Sequence, residues 1–217
     1  INPLNGSTSV NQSTGEIQYI PDLDFNGTDS YTYQIADNEG SMDTAIVTII
    51  MQTGSIIVNI SLTTGWNMIT VPVENNMWAS DICDNITGSQ LLSRWNNTAQ
   101  TYDTYIAGGP PSFDFPIEDG WGYFCEVDQN STINFTGQPI EEVNVSIITG
   151  WNLIGWYNQS DTTASSISEN ITGCSLVSMW NTTAQTYDTY IAGGPPSFDF
   201  TIRIGMGLFI ETTEDSY

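Results

Sequence analysis

The sequence contains no histidine and no lysine, and its two arginines, Arg94 and Arg203, face 25 acidic residues for a net charge of −23. Every phosphate-binding mode needs a supply of basic side chains, so nucleic acid and anionic lipid are excluded as partners. The same absence removes the Ser-His-Asp, Cys-His and Schiff-base arrangements of common enzymes. No run approaches the roughly eighteen apolar residues of a membrane-spanning helix, so no membrane span is expected in this chain. The opening INPLNG has neither an initiator Met nor the shape of a signal peptide, which reads as a mature product or a piece of a longer polypeptide. Only 12% of residues are charged, about half the usual share. Contact with water therefore falls to Asn, Ser, Thr and Gly, and to anything attached to them. Cysteine is scarce and odd in number: Cys83, Cys125 and Cys174, with no C-x-x-C spacing and no histidine for a zinc centre.

What the chain does have is N-x-S/T. Twelve of its 19 asparagines open such a tripeptide: Asn5, Asn11, Asn26, Asn59, Asn85, Asn96, Asn130, Asn134, Asn144, Asn158, Asn170 and Asn181. Chance placement would give about four. A Thr- and Asn-rich β-protein inflates the count by composition alone; the size of the excess favours a secreted chain coated with N-linked glycans. The chain also repeats itself. Trp95 to Phe115 and Trp180 to Phe200 agree at twenty of twenty-one positions, 85 residues apart, with Asn97 against Thr182 as the one difference.

Three segments follow: residues 1–53, 54–138 and 139–217. In the first, Tyr31, Tyr33 and Ile35 alternate with polar residues, and Asp37–Gly40 supplies turn residues before AIVTIIM, which predicts a hairpin. About four strands there would leave a face and an edge uncovered. Each later segment opens with a β-rich run, then TGWN, then a short helix: Ala79, Ile82 and Ile86 behind Ser80 as its cap, repeated as Ala164, Ile167 and Ile171 behind Ser165. Further strands are predicted over Leu91–Trp95, Tyr102–Ile106 and Trp121–Val127 and their counterparts. A period of 85 suits an independent small domain rather than a solenoid unit. The fold class expected is mainly all-β: tandem β-sandwich-like domains, with one short helix in each repeat. The second copy stops where the first continues into STINFTG, so a closing strand is expected to be missing there.

YIPDLDFNGTDSYTYQIADNEGSMDTAIVTIIM resembles the second half of the cadherin-like, immunoglobulin-type tandem domains of large bacterial and archaeal surface proteins. The pattern GWN, then W-N, T-Y-x-x-Y, SFDF and GWGYF or GMGLF, resembles the GWN-type β-rich repeats of archaeal S-layer and other cell-surface proteins. The second resemblance covers nearly all of residues 56–217 and implies a modular, structural role outside the cell and no characterised chemistry.

Three kinds of site compete with scaffolding. Asp103 with Asp114, repeated as Asp188 with Asp199, could pair as glycosidase carboxylates, although turn hydrogen bonding is the ordinary reading of such aspartates. Asp22, Asp24, Asp29, Asp37 and Glu39 crowd hard oxygen ligands that suit calcium, against the plainer reading of solvated turn acids; no other cofactor is called for. Trp95, Tyr102 and Tyr105, with Trp180, Tyr187 and Tyr190, could stack on sugar rings, against the reading that Trp66, Trp95, Trp151 and Trp180 fill the core of a small domain. Tyr123, Cys125 and Val127 share an apolar face with Trp121, and Cys83 lies on the helix margin. That brings a Cys83–Cys125 bridge within reach, leaving Cys174 free or bonded to another chain. No cysteine position is shared between the copies, so the repeated fold does not depend on a disulfide. The function expected is non-enzymatic: a glycosylated, extracellular structural protein of an archaeal cell surface, forming a filament or S-layer with copies of itself by β-edge or strand complementation. The alternative is an adhesin or carbohydrate-binding module.

Overall fold

Turn residues cut the first fifty positions into four extended runs, and a computed structural model, which describes residues 2–22, 25–37, 39–51 and 54–216, pairs them as two hairpins. β1 (Gly6–Val10) runs antiparallel to β2 (Ile17–Pro21), and β3 (Gly27–Ala36) to β4 (Met42–Met51), the second as the alternation predicts. Asp29 ties the hairpins together. Buried on β3, it accepts from the backbone N–H groups of Leu4 (3.1 Å), Asn5 (2.9 Å) and Ser30 (2.8 Å) and from the Tyr19 hydroxyl (3.0 Å). Ile46 and Ile50 on β4 remain about 70% exposed, so one face of this unit is uncovered, as expected of so few strands. The chain divides into two compact units, residues 1–54 and 55–217.

The second unit holds both repeats. Repeat 1 runs through β5 (Ile56–Leu62), β6 (Gly65–Ile69), α1 (Ala79–Asn85), β7 (Ser89–Asn96), β8 (Thr101–Ile106), β9 (Tyr123–Val127) and β10 (Ser131–Gly137). β6, β9, β7 and β8 form one antiparallel sheet in that order, while β5 pairs with β10. The core lies between this sheet on one side and α1 with the β5–β10 ribbon on the other, and includes Leu62, Ile82, Leu92, Cys125, Ile133 and Phe135. Repeat 2 follows with β11 (Gly150–Gly155), β12 (Thr162–Thr163), α2 (Ala164–Asn170), β13 (Cys174–Asn181), β14 (Thr186–Ile191), β15 (Thr201–Ile202) and β16 (Gly207–Thr212), its sheet ordered β11, β16, β13, β14. The protein is mainly β, with one short helix in each repeat as expected. Among the described residues no helix is long and apolar enough to cross a membrane.

Both helices sit at the expected place, but their caps differ from expectation. Ser80 and Ser165 fall inside the first turn, and Trp78 and Thr163 are the cap residues. Ser80 is held from outside the helix: Asp114 accepts its backbone N–H (3.1 Å) and its hydroxyl (2.6 Å). Asp199 does the same for Ser165 at 3.0 and 2.6 Å.

Candidate functional site

The strand β9 reads YFCEV and β16 reads GLFIET, with almost every residue buried. A strand without polar alternation is covered on both faces. One face of each sheet looks into its own core; the other meets the opposite repeat. Met68 and Phe124 from repeat 1 pack on Leu153 and Phe209 from repeat 2, ringed by Trp66, Trp95, Trp151 and Trp180. Each pair of residues sits 85 positions apart, so the contact is pseudo-two-fold. Trp95 meets Phe209 edge-on at 5.3 Å between ring centres, and Trp180 meets Phe124 at 5.4 Å. Trp95 packs on Tyr102 and Trp180 on Tyr187, each at 4.9 Å, and the two tyrosines line the same pair of grooves. Burial pushes both phenols above their ordinary pKa.

A glutamine from each repeat clamps the other. Gln185 accepts the Trp66 N–H (2.8 Å) and donates to its carbonyl (3.2 Å), while Gln100 accepts the Trp151 N–H (2.9 Å) and donates to that carbonyl (3.0 Å). The amide thus substitutes for a neighbouring strand at the start of β6 and β11. This explains the G-W-N triplet residue by residue. Gly65 has φ +97°, and a Cβ there would stand 2.6 Å from Gln185 Oε1; Gly150 stands in the same relation to Gln100 at 2.9 Å. The Trp offers its backbone to the glutamine and its ring to the interface. The Asn is buried and staples the turn: Asn67 Nδ2 donates to the carbonyls of Thr63 and Gly65, and Asn152 to those of Ile148 and Gly150. The symmetry breaks at the one differing letter. Asn97 Nδ2 donates to Asn152 Oδ1 (2.9 Å), a bond that Thr182 does not repeat. Trp95 Nε1 donates to the Trp151 carbonyl (2.7 Å), while Trp180 Nε1 is buried with no partner among the described residues.

Two grooves flank the tyrosine pair, of about 370 and 360 Å³. One is walled by Trp66, Tyr102, Phe124, Trp180 and Tyr187, the other by Trp95, Tyr102, Trp151, Tyr187 and Phe209. Their polar floor is a hydroxyl pair, Ser93 with Thr104 in one and Ser178 with Thr189 in the other, each at 2.8 Å. The four tryptophans expected to fill the repeat cores therefore lie at the junction instead, because they occupy the opposite face of the strands. The repeats, expected as independent domains, form one unit for the same reason.

The remaining expected sites fall elsewhere. Eight acceptor asparagines are exposed and four, Asn5, Asn26, Asn96 and Asn181, are half-buried; none is buried. Asn96 and Asn181 are drawn in by the turns they close. Asn96 Oδ1 accepts the Ala99 N–H (2.9 Å), and Asn181 Nδ2 donates to Asp188 (2.9 Å). Cys83 and Cys125 share the core of repeat 1 as free thiols rather than a bridge, and Cys174 is a half-buried free thiol. Burial pushes Cys125 up to about 12. Of the calcium candidates, Asp24 lies outside the described residues. The oxygens of Asp29 are filled by the bonds above, and Asp37 turns its oxygen to the N–H groups of Ser41 and Glu39, each at 2.8 Å. Asp22 and Glu39 are exposed, and among the described residues no three His, Cys, Asp or Glu side chains form a metal-binding group. The carboxylate pairs are occupied too: Asp103 takes Arg94 Nε at 3.2 Å, Asp188 takes Asn181, and Asp114 and Asp199 hold the helices.

Sequence reasoning missed Gln100 and Gln185. Their signal was their place inside the near-identical stretch, at the tight turn before T-Y-x-x-Y. Residues 1–50 match the family model described as a Bacterial Ig domain. No curated protein and no solved structure matches the chain.

Proposed function

We propose that this chain is a glycosylated structural protein of the cell exterior, a subunit of an archaeal surface filament or S-layer that joins copies of itself through β-edges. The carrying observation is the twelve acceptor asparagines, none of them buried and spread over both units. An immunoglobulin-type module at residues 1–50 and β-rich repeats beside it suit a surface spacer, and the carboxylates once eligible for catalysis are engaged in helix and turn bonds. Dense sugar would hydrate a surface poor in charge and shield strand edges from stray pairing. Glycopeptide mass spectrometry of the native protein should find Asn59, Asn144, Asn85 and Asn170 modified together, with lower occupancy at Asn181. Mostly bare acceptors on native material would end the glycoprotein reading, and purified protein that forms neither lattice nor fibre would end the assembly reading.

One observation favours the adhesin or carbohydrate-binding alternative: the two aromatic-walled grooves with hydroxyl floors, a setting in which sugar rings stack. A binding module would be retained saturably on immobilised glycans and lose that retention in Trp66→Ala and Trp151→Ala.

A further inference from the structure

Repeat 1 holds a polar pocket of about 350 Å³ at the end of β7, and its lining includes the acceptor Asn96 with its Thr98. It opens because β9 leaves the sheet there. Arg94 is the last residue of β7 paired with β9, opposite Tyr123, and the preceding Trp121 and Gly122 turn instead to β11. Trp121 bridges Ile154, and the Gly122 N–H donates to the Leu153 carbonyl (3.0 Å). Arg94 stands in the gap. Its guanidinium lies over the Phe115 ring at 4.8 Å, with Nε on Asp103 Oδ2 at 3.2 Å and Nη1 3.8 Å from Glu118 Oε1. Asp103 Oδ1 and Glu118 Oε2 have no partner among the described residues. The half-buried Trp121 supplies an aromatic wall to the same pocket.

Repeat 2 shows what this ion group does to the acceptor. Eighty-five positions on, Arg94, Glu118 and Trp121 are replaced by Met179, Arg203 and Met206, while Asn96 and Asp103 recur as Asn181 and Asp188. Arg203 turns to Asp161 (3.4 Å), and Asp188 accepts from Asn181 Nδ2 (2.9 Å). In repeat 1 Arg94 takes that aspartate. Asn96 Nδ2, the atom to which an N-linked sugar is joined, makes no hydrogen bond among the described residues.

We propose that this pocket seats the sugar carried by Asn96: a neutral pyranose, a hexose or N-acetylhexosamine, whose ring lies against Trp121 while its hydroxyls bond Asp103, Glu118 and Arg94. This rests on the glycoprotein reading above and names a seat for one of its sugars. The volume is that of a site for one small ligand. An aromatic face takes the C–H side of a sugar ring, and carboxylates and a guanidinium already held in place accept from and donate to its hydroxyls. One cation against two carboxylates leaves the pocket net negative, which disfavours an acidic sugar. The tether supplies the affinity. A sugar on a short link meets the pocket at an effective concentration of about millimolar, so contacts too weak to capture a free sugar hold an attached one. At Asn181 the same linkage meets Met179, Arg203 and Met206, which offer neither the aromatic wall nor the ion group.

The test compares the native glycosylated protein with Thr98→Ala made in the same host. That change removes the acceptor at Asn96 and leaves the Asn96 side chain and its turn bond in place. Hydroxyl-radical footprinting read by mass spectrometry should oxidise Trp121 about tenfold faster in Thr98→Ala, with the exposed Trp78 unchanged as the reference. The same variant should lower the Tm by about 3–6 °C, the shift that a tenfold docking equilibrium gives. Thr87→Ala, which removes the acceptor at the exposed Asn85, should leave both readings unchanged. Arg94→Met, the residue repeat 2 carries there, should keep the sugar on Asn96 and still raise Trp121 oxidation. Equal Trp121 oxidation in the native protein and Thr98→Ala overturns the proposal, as does an Arg94→Met chain in which Trp121 stays protected. A bare Asn96 beside modified Asn59 and Asn85 overturns it while the glycoprotein reading stands; bare acceptors throughout end both.

Discussion

Gln100 and Gln185 are the two described non-glycine residues with positive φ, at 51° and 52°. A side chain in the left-handed region costs on the order of 1 kcal/mol, and here that conformation aims each amide across the junction. The return across the junction is two hydrogen bonds per glutamine, both at a solvent-exposed edge where water is the competitor, beside a third to the Asn97 or Thr182 carbonyl of its own turn. Gln185→Ala should therefore lower the stability of the repeat unit by about 1 kcal/mol in urea unfolding, with Gln185→Gly costing less because the backbone strain goes with the amide. A loss above about 3 kcal/mol would mean that the clamp orders the whole junction rather than one edge. Asp29 is the acid-sensitive residue of the first unit. Burial opposes its charge, but the N–H groups of Asn5, Leu4 and Ser30 outweigh burial and hold its carboxyl below the ordinary range. With the folded pKa below the unfolded value of about 4, its contribution is present above that value and lost as pH falls through the folded pKa. Amide exchange at Leu4 and Asn5 should thus accelerate below about pH 4, and Asp29→Asn should give fast exchange already at pH 7 with a flatter acid response.

At the scale of elements, α1 and α2 have seven residues each, too few to hold as isolated helices. Each is tethered by an aspartate 34 residues further on. Asp114→Ala should cost about 1–2 kcal/mol by denaturant unfolding, the upper range of a lost cap, while Ser80→Ala, which keeps the backbone bond to Asp114, should cost less than half of that. The tether also shows where sequence reading reached its limit. The helix positions follow from Ala79, Ile82 and Ile86, a local pattern. The nearest serine was read as the cap, whereas the group that holds the first turn comes from a loop that the fold alone brings near. The strands were legible in the same local way, down to the β3–β4 hairpin. The tryptophans were not, because alternation separates two faces of a strand without saying what covers each. The apolar runs at Tyr123–Cys125 and Gly207–Ile210 were the available sign that both faces are covered. The junction's tryptophans and tyrosines were legible as recurring residues but not in their place, and its glutamines not at all, since a glutamine clamp has no spacing signature.

For the whole molecule, the junction accounts for the limited drift of the repeated stretch. Trp95, Gln100 and Tyr102 each meet the opposite repeat, and Asp114 and Phe115 serve the repeat's own helix and core, so the stretch is constrained from both sides. Because each repeat presents the same surface, repeat 1 carries everything needed to pair with itself. Residues 55–139 expressed alone would expose Met68, Phe124, Trp66 and Trp95, an apolar face of the kind that is rarely left in water. In a two-fold pair of repeat 1, Gln100 of each copy would clamp Trp66 of the other. Asn97 would reach Asn67 twice, where the natural chain makes the matching Asn97–Asn152 bond once. The pair also includes β10 in both halves, which closes each core. We expect this fragment to sediment as a closed dimer at micromolar concentration, since an isologous contact uses up both faces and stops at two. Phe124→Asp, which buries a charge at the centre of the contact, should leave monomers with solvent-quenched tryptophan emission. A wild-type fragment that is monomeric at that concentration would show that the covalent link between the repeats, rather than the complementarity of their faces, holds the junction together.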